Sequence, residues 1–474
     1  MPDLRQAAFA ADSKRWRALF LLCLAQFMVI MDTSIIGVAL PAIQQALGYS
    51  QDGLQWVFNA YVIFFGGLML LGGRMSDLFG QRKVFMIGFV ILSAASLLAG
   101  FAWSEESMNV GRAVQGLGSA FILPSALTIV MLLFGHDSKE LRRALGFWGA
   151  SAAAGGTAGV FLGGVITEWL SWSWTFWINV PVGLFALLYG RSVLPEGVRR
   201  RGRIDVAGAV LVTGSLVIAV YAIVTAGQTG WSSPRTIVLL LAAAVLLGLF
   251  LLVQRKRKEP LVPLRIFSAP NLLAGNAVFG LLAGAWIPLW FYLNLYLQQI
   301  LDFSAFAGGV ALVPMTALIM IVMVGVTGRL VGRFGFRGVL VAGLLLLAAS
   351  LVILAGFTPT NGTYAANVLP ASLIGALGMS LAFIPGTMAA MSGAKPEDTG
   401  LASGLSNSSY QIGSAIGLAL MSAAAAAWTR DGAAESEGAR LASLNDGFHA
   451  AFYGAAIIAT VGVAATLLFI RTRK

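Results

Sequence analysis

A ten-residue pattern occurs twice in this chain, as GRMSDLFGQR at residues 73–82 and as GRLVGRFGFR at residues 328–337. Each copy directly follows a long apolar run and precedes another one. The offset of 255 residues predicts that the chain consists of two equivalent halves with the same order of helices. The alternative is a chance similarity between two short loops rich in glycine and arginine.

The composition predicts a membrane protein. Of 474 residues, 58% are hydrophobic and 11% are charged, with a mean hydropathy of +0.84; soluble domains carry about 25% charged residues. Runs such as 210–224 and 236–253 do not alternate between apolar and polar residues, which argues against the strands of a membrane β-barrel. Helices satisfy their own backbone hydrogen bonds in lipid, so the predicted fold class is an all-α polytopic membrane protein.

Fourteen apolar spans are long enough to cross a bilayer, which takes about 20 residues. They lie at roughly 17–41, 54–73, 83–103, 108–133, 143–168, 174–195, 205–226, 235–253, 270–300, 305–328, 337–357, 364–392, 400–428 and 448–470. With the repeat, these spans predict an N-terminal six-helix half at 1–203, two additional helices with a basic linker at 204–258, and a C-terminal six-helix half at 259–474.

The distribution of charge predicts the orientation in the membrane. If the N-terminus is cytoplasmic, only four of the 31 Lys and Arg residues fall on outer segments, namely Arg112, Arg235, Arg430 and Arg440. Inner loops are the ones enriched in Lys and Arg, so both termini are predicted to be cytoplasmic. These loops account for the net charge of +11, which therefore does not indicate nucleic acid binding.

Four motifs resemble those of a known family. DTSIIGVALP at 32–41 is close to D-x-T-x-x-x-x-A-L-P, GRMSDLFGQRK at 73–83 fits G-x-x-x-D-x-x-G-x-R-K, RAVQGLG at 112–118 fits R-x-x-Q-G-x-G, and GGTAGVFLGG at 155–164 resembles the antiporter motif ending in G-P-x-x-G-G. Along nearly its whole length the chain resembles the fourteen-helix drug:proton antiporters of the major facilitator superfamily, the group of multidrug and quaternary-ammonium exporters.

Two positions depart from the family pattern. Val160 stands where the family has proline, and Trp172-Ser173-Trp174 lacks the arginine of the family's W-R-W, although FWINVP at 176–181 fits. The resemblance implies the major facilitator fold, with two six-helix halves plus two extra central helices. It also implies transport driven by the proton gradient, with no cofactor and no metal.

Asp32 and Arg112 are the predicted proton-coupling pair. Asp32 lies 15 residues beyond Arg17, about 22 Å along a helix, and Arg112 enters its helix from the outer side to a similar depth. A buried carboxylate requires a proton or a partner. If helices 1 and 4 are neighbours, the two side chains pair, and a change in the pairing exchanges a proton. The alternatives are a static structural pair and an aspartate that faces a vestibule.

The loop after helix 2 is the predicted conformational latch, with Gly73, Asp77, Gly80, Arg82 and Lys83 as its residues. Asp77 is expected to pair across the two halves and hold the inner side closed, or to accept hydrogen bonds at the start of helix 3. Arg82 and Lys83 are equally explained as charges that set the topology.

Helix 5 carries the antiporter motif, with Gly155, Gly159, Gly163 and Gly164. Glycines spaced by four residues form a face on which two helix backbones can approach closely. We expect this face to seal the two halves against each other on one side of the membrane. The alternative is tight packing within one half.

Polar and aromatic side chains within the spans are the candidates for a substrate cavity, because apolar drugs and organic cations suit aromatic walls. Interface aromatics and helix–helix hydrogen bonds are the alternative for each of them. The candidates are Gln26, Trp56, Asn59, Tyr61, Gln115, Trp290, Tyr292, Asn294, Gln298, Asn407 and Gln411.

The predicted function is proton-coupled efflux of amphipathic organic compounds across the cytoplasmic membrane by alternating access. The expected partners are a small amphipathic substrate, protons and the lipid bilayer, and the protein is expected to be a monomer and not an enzyme. A membrane enzyme would need clustered histidines or carboxylates, whereas His136 and His449 lie far apart in sequence. An importing or metabolite-specific symporter of the same fold, or a channel, remains an alternative. No G-x-x-x-x-G-K-[ST] loop for ATP occurs.

Overall fold

The computed structural model describes residues 14–51, 53–135, 137–197, 205–257, 259–394, 399–429 and 436–471. All regular secondary structure in these ranges is helical. The predicted domain boundaries at 203 and 258, and with them the basic residues at 199–203 and His136, lie outside the described residues.

The helices follow the order of the predicted spans. The first six are α1 Lys14–Leu47, α2 Trp56–Phe79, α3 Gln81–Gly100, α4 Glu105–Phe134, α5 Ser138–Trp169 and α6 Trp174–Val193. The next two are α7 Val206–Thr229 and α8 Pro234–Lys256. The last six are α9 Leu272–Ile300, α10 and α11 within Ala305–Phe357, α12 Tyr364–Ala390, α13 Thr399–Trp428 and α14 Glu437–Phe469.

The helix count depends on Gly335. Thirteen segments of the described chain are long and apolar enough to span a membrane, and one of them, Ala305–Phe357, has 53 residues. A straight helix of that length would measure about 80 Å, far more than the roughly 30 Å hydrocarbon core. The backbone turns at Gly335, where φ is 75° and ψ is 156°. This segment is therefore two helices, α10 up to residue 334 and α11 from 336, and the predicted total of fourteen agrees with the structure.

The predicted repeat is visible in the backbone. Gly80, between α2 and α3, has φ 97° and ψ 136°, close to the values of Gly335 between α10 and α11. Side chains strongly disfavour a positive φ of this kind, which explains the glycine in both copies. The turn that ends the second helix of each half is the same, 255 residues apart.

The packing of helices repeats as well. In the first half, α1 packs on α5, α2 on α4, and α3 on α4 and α6; in the second half, α9 packs on α13, α10 on α12, and α11 on α12 and α14. The halves meet through α5 with α10 and through α2 with α13. These two contacts are equivalent under the repeat, as expected for halves related by an axis along the membrane normal.

The two additional helices occupy different positions. α7 contacts α2 of the first half and α13 of the second, and Thr213 of α7 lies against Gly67 of α2. α8 packs mainly on α7, and most of its side chains are exposed on the outside of the bundle. α7 therefore bridges the two halves, while α8 lies on the outside of the bundle.

The start of α1 and the end of α14 lie on the same face of the helical bundle. The start of α9 is on this face too, since Asn271, just before α9, donates a hydrogen bond from Nδ2 to the Arg471 carbonyl (2.7 Å). We call this the terminal face and the opposite one the distal face. The helices that start at the distal face include α4, α8, α10 and α14, each capped by a serine that accepts a hydrogen bond from a backbone N–H: Ser104, Ser233, Ser304 and Ser436.

Candidate functional site

A buried ion pair lies at the centre of the first half. Nη1 of Arg112 on α4 lies 2.7 Å from Oδ2 of Asp32 on α1, and both side chains are fully buried. Arg112 is seven residues after Glu105, the first residue of α4, about 10 Å from its distal end. The contact predicted between helices 1 and 4 is thus present, at the predicted equal depth.

Amide side chains surround the other carboxylate oxygen. Asn179 on α6 donates from Nδ2 to Oδ1 of Asp32 at 2.6 Å, and Gln115 on α4 donates from Nε2 to the same oxygen at 3.4 Å. Both amides also donate to Oγ of Ser96 on α3, at 3.1 and 2.7 Å. Four helices therefore meet at Asp32. An ionised carboxylate only accepts hydrogen bonds, so this set of donors fits the charged form.

The guanidinium of Arg112 is also held from several sides. Its Nε donates to the Val57 carbonyl on α2 at 2.8 Å, and Nη1 donates to Oε1 of Gln115 at 2.9 Å. The ring of Tyr61 lies 4.4 Å from the guanidinium carbon, within the range of a cation–π contact. Nη2 is buried, and none of the described residues accepts a hydrogen bond from it.

Sequence reasoning missed two members of this cluster, Asn179 and Ser96. Asn179 belongs to the FWINVP stretch that fits the family pattern, but the prediction gave it no role. Ser96 is one of two serines in its apolar span. The signal that could have found the cluster was Asn179 itself, since an amide within a membrane helix needs a partner.

Several predicted cavity residues have their partners inside one half in this conformation. Tyr61 and Gln115 belong to the Arg112 cluster, and Asn59 bonds Gln55 on its own helix at 3.1 Å. Tyr292 donates to Ser422 of α13 at 3.1 Å, within the second half. Trp56 packs on Tyr221 of α7, at a ring distance of 6.5 Å.

Three further candidates are fixed by helix contacts. Asn294 is buried and donates from Nδ2 to the Trp290 carbonyl of its own helix at 2.8 Å. Asn407 is exposed and bonds the Ser403 carbonyl at 3.0 Å. Gln411 packs on Gly66 of α2, where the halves meet. Helical period alone does not say which neighbour a polar side chain faces, and the assignment of these residues to a substrate cavity stays a prediction.

One face of α1 does look towards the second half. Trp290 of α9 lies directly on Gly37, where any side chain would collide with the indole. Gln26, Ile30 and Thr33 lie on the same side of α1 at helical spacing, and all three are partly exposed. This face, with Gln26 as its candidate polar residue, is the best-supported wall of a cavity between the halves.

The latch loop has a contact to the second half through Arg74. Nη2 of Arg74 lies 2.5 Å from Oε2 of Glu259, and both side chains are partly exposed. Glu259 is at the start of the predicted second half. Arg82 pairs with Glu196 after α6 at 3.1 Å, Lys83 is exposed, and Asp77 is half-buried. Because Glu196 lies just after α6, the ion pair of Arg82 lies within the first half.

The glycine face of α5 packs on α1, not on the second half. A Cβ at Gly155 would lie 2.5 Å from the Phe27 carbonyl oxygen, and one at Gly163 would lie 2.9 Å from that of Ile35; Gly159 contacts Ser34. The prediction that these three glycines seal the halves was wrong, and packing within one half was the correct alternative. Gly164 does cross, since its Cβ would lie 2.9 Å from the Ala305 carbonyl oxygen of α10.

A ring of three glutamines closes the distal face. Gln44 donates to Oε1 of Gln51 (3.0 Å), Gln51 donates to Oε1 of Gln299 (3.2 Å), and Gln299 donates to Oε1 of Gln44 (2.8 Å). Gln298, a predicted cavity residue, donates to the Val38 carbonyl of α1 at 3.0 Å. Gln298 and Gln299 belong to the second half, so the distal ends of α1 and α9 are joined.

Contacts between α5 and α10 lie near the distal face too. Gly164 and Gly309 lie against each other near the distal face, and Trp169 packs on Phe306 at a ring distance of 4.9 Å. Towards the terminal face, a Cβ added at Gly149 of α5, or at Gly325 or Gly328 of α10, would meet no atom of the described chain within 4 Å. The glutamine ring and these contacts of α5 with α10 therefore join the two halves at the distal face.

Comparison with known proteins agrees with this architecture. Residues 22–418 match the family model of the Major Facilitator Superfamily. The chain is 35% identical to the puromycin resistance protein pur8 of Streptomyces alboniger, covering 98% of this chain and 92% of the relative, and 36% identical to the cephamycin export protein CmcT of Amycolatopsis lactamdurans, covering 85% and 84%. The crystal structure of an auto-inhibited POT family peptide transporter has a similar fold, with a TM-score of 0.67, 16% identity and 98% coverage of both chains. The chain is a multi-pass membrane transporter and belongs to the Major Facilitator Superfamily.

Proposed function

We propose that this chain exports amphipathic organic compounds in exchange for protons. The observation that carries the proposal is the Asp32 cluster: a fully buried carboxylate, paired with Arg112 and surrounded by donors. A buried charge is expensive to maintain, and an intramembrane carboxylate is the usual carrier of a transported proton. The names of the relatives, which concern puromycin resistance and cephamycin export, support a drug-like substrate.

The burial of Asp32 supports alternating access. In the conformation closed at the distal face, the carboxylate is fully buried, so a proton reaches it only when the helices move. Protonation removes the negative charge and weakens the bond to Arg112. The cluster joins α1, α3, α4 and α6, so a change in this bond can shift these helices relative to one another. The proton gradient supplies the energy, and no cofactor takes part.

We place the protein in the cytoplasmic membrane as a monomer, with the terminal face in the cytoplasm. Cysteine labelling tests the orientation in a Cys23→Ala background. Trp103 is 80% exposed near the distal face, and the Glu196 side chain is 83% exposed at the terminal face. A cysteine at 103 is expected to react with a membrane-impermeant reagent in intact cells, and one at 196 only after permeabilisation. The reverse pattern contradicts the orientation.

Export is tested with puromycin as the probe. Cells that lack other pumps and express this chain are expected to accumulate less puromycin than cells with the empty vector, and a protonophore is expected to abolish the difference. Accumulation above the vector control would identify an importer of the same fold. A difference that persists with the protonophore would contradict proton coupling.

A further inference from the structure

A cleft of about 830 Å³ opens between α3 and α6 at the terminal face. Its rim carries three basic side chains: Arg82 and Lys83, at the start of α3, and Arg191, near the end of α6. Lys83 and Arg191 are exposed. Among the described residues that line the cleft, the single acidic one is Glu196, and it already pairs with Arg82 at 3.1 Å. The rim of the cleft therefore carries a net positive charge.

Below this rim the walls of the cleft are apolar. Ile87 and Val90 of α3 are 37% and 53% exposed, and Leu187 of α6 faces them across the cleft. Val90 is seven residues beyond Lys83, about 10 Å deeper along the helix. The charges thus lie at the end of the helices and the apolar walls lie further into the bundle.

We propose that this cleft binds an anionic phospholipid. The phosphate of the headgroup bonds the basic rim, and an acyl chain lies along Ile87, Val90 and Leu187. Charge and depth together select this ligand: a soluble anion would leave the apolar walls empty, and a zwitterionic lipid would leave the excess charge unmatched. Basic residues close to a membrane surface attract anionic lipid with about 1 kcal/mol each.

A lipid bound between α3 and α6 contacts two helices of the Asp32 cluster and can therefore influence transport. Arg82 lies at the start of α3, and α3 and α6 carry Ser96 and Asn179 of the Asp32 cluster. A lipid in this cleft contacts the same pair of helices at their terminal ends. The proposal itself concerns binding and does not depend on the direction of transport or on the substrate.

Native mass spectrometry of the detergent-purified full chain tests the site, with phosphatidylglycerol and phosphatidylcholine as probes. Wild-type protein is expected to retain one phosphatidylglycerol more strongly than the others and to show no such preference for phosphatidylcholine. Arg191→Gln is expected to weaken this binding about fivefold, and Arg191→Lys to restore most of it. Val90→Asp, which places a negative charge on the apolar wall, is expected to weaken it as well.

Arg333→Gln is the matched control. Arg333 is an exposed arginine at the terminal end of α10, outside the cleft. If Arg333→Gln lowers phosphatidylglycerol binding as much as Arg191→Gln does, the attraction is a diffuse property of the basic face and the site does not exist. Equal retention of both lipids by wild-type protein, or unchanged binding in Arg191→Gln and Val90→Asp, would also overturn the proposal.

Discussion

The two halves of this transporter share one packing frame but differ in their chemistry. Between α3 and α4, a Cβ at Gly118 would lie 2.9 Å from the Gly88 carbonyl oxygen; between α11 and α12, a Cβ at Gly378 would lie 2.8 Å from the Gly343 carbonyl oxygen. Gly88 and Gly343 are 255 residues apart, the offset of the loop repeat. These contacts align α4 with α12 residue by residue.

The aligned positions show where the halves diverge. Six residues before Gly118 lies Arg112, whereas six residues before Gly378 lies Ser372, which bonds the Leu369 carbonyl of its own helix at 2.9 Å. α9, the counterpart of α1, has no Asp, Glu, Lys or Arg in Leu272–Ile300. The second half therefore forms the same frame without an ion pair between these two helices. The same packing frame therefore exists without the pair in the second half, and the cost of burying the pair is the reason to expect a role in transport for it.

Replacing Asp32, which the second half lacks, is expected to lower export more than any of the changes that follow. Asp32→Asn keeps the volume and can still bond Arg112, but it cannot carry a proton. We expect proton-driven efflux to fall to the level of vesicles without the protein, while substrate binding is partly kept. Proton-driven uptake into everted vesicles measures this export, with Ser372→Ala in the second half as a control expected to stay near the wild-type rate. Wild-type efflux in Asp32→Asn would remove the functional distinction between the halves.

Removing Arg112 leaves the carboxylate buried without its counter-ion. Breaking a buried pair from one side costs about 3–5 kcal/mol, so Arg112→Ala is expected to melt at a lower temperature and to export poorly. Because a lone buried charge is disfavoured, proton release becomes the slow step, and export falls more at neutral than at alkaline pH. Efflux against pH in wild type and variant checks this. A uniformly lower rate with an unshifted profile would assign Arg112 to packing or to the substrate.

Removing the Asn179 amide is expected to lower coupled export by an intermediate amount. Asn179→Ala removes the 2.6 Å bond to Asp32, and a lost hydrogen bond to a buried charged group costs about 1.5–3 kcal/mol. We therefore expect coupled export to fall by about tenfold or more. Asn294→Ala is the matched control in the second half, since that amide bonds the backbone of its own helix. Equal losses in the two variants would mean that Asn179 only supports packing.

Breaking the glutamine ring is expected to have the smallest effect on export, because neutral hydrogen bonds contribute about 0.5–1.5 kcal/mol each to stability. Gln299→Ala is expected to weaken closure of the distal face and to change the export rate only a few-fold. Cysteines at Gln44 and Gln299, in the Cys23→Ala background, are expected to cross-link more slowly when a substrate favours opening at that face. Cross-linking that is fast and insensitive to a transported compound would show that the ring does not open.

Much of the fold and the central pair could be predicted from the sequence. Apolar length gives the helices, the charge bias gives an even count, and Gly80 and Gly335 mark the repeat because a positive φ selects glycine. Asp32 and Arg112 could be paired because charges within membrane helices need partners at the same depth.

The neighbours of polar and small residues could not be predicted in the same way. Tyr61 lies on α2, which also borders the second half through α13, and nothing in a helical period distinguishes the two directions. Gly155 and its repeats show the same limit, since a small face fits α1 as well as it fits α10. Asn179 signals that a partner is needed, but its partner Asp32 follows only from the contact between α6 and α1, which is a tertiary fact.

The central claim is that Asp32 carries the proton that is exchanged for substrate. Proton release on substrate binding tests it most directly, in a weakly buffered solution of purified protein with a pH-sensitive dye and a compound that the wild-type protein exports. Wild type and Ser372→Ala are expected to release protons on addition of the compound, and Asp32→Asn is expected to bind the compound without release. Equal release from Asp32→Asn and wild type would contradict the account and place the exchanged proton on another residue.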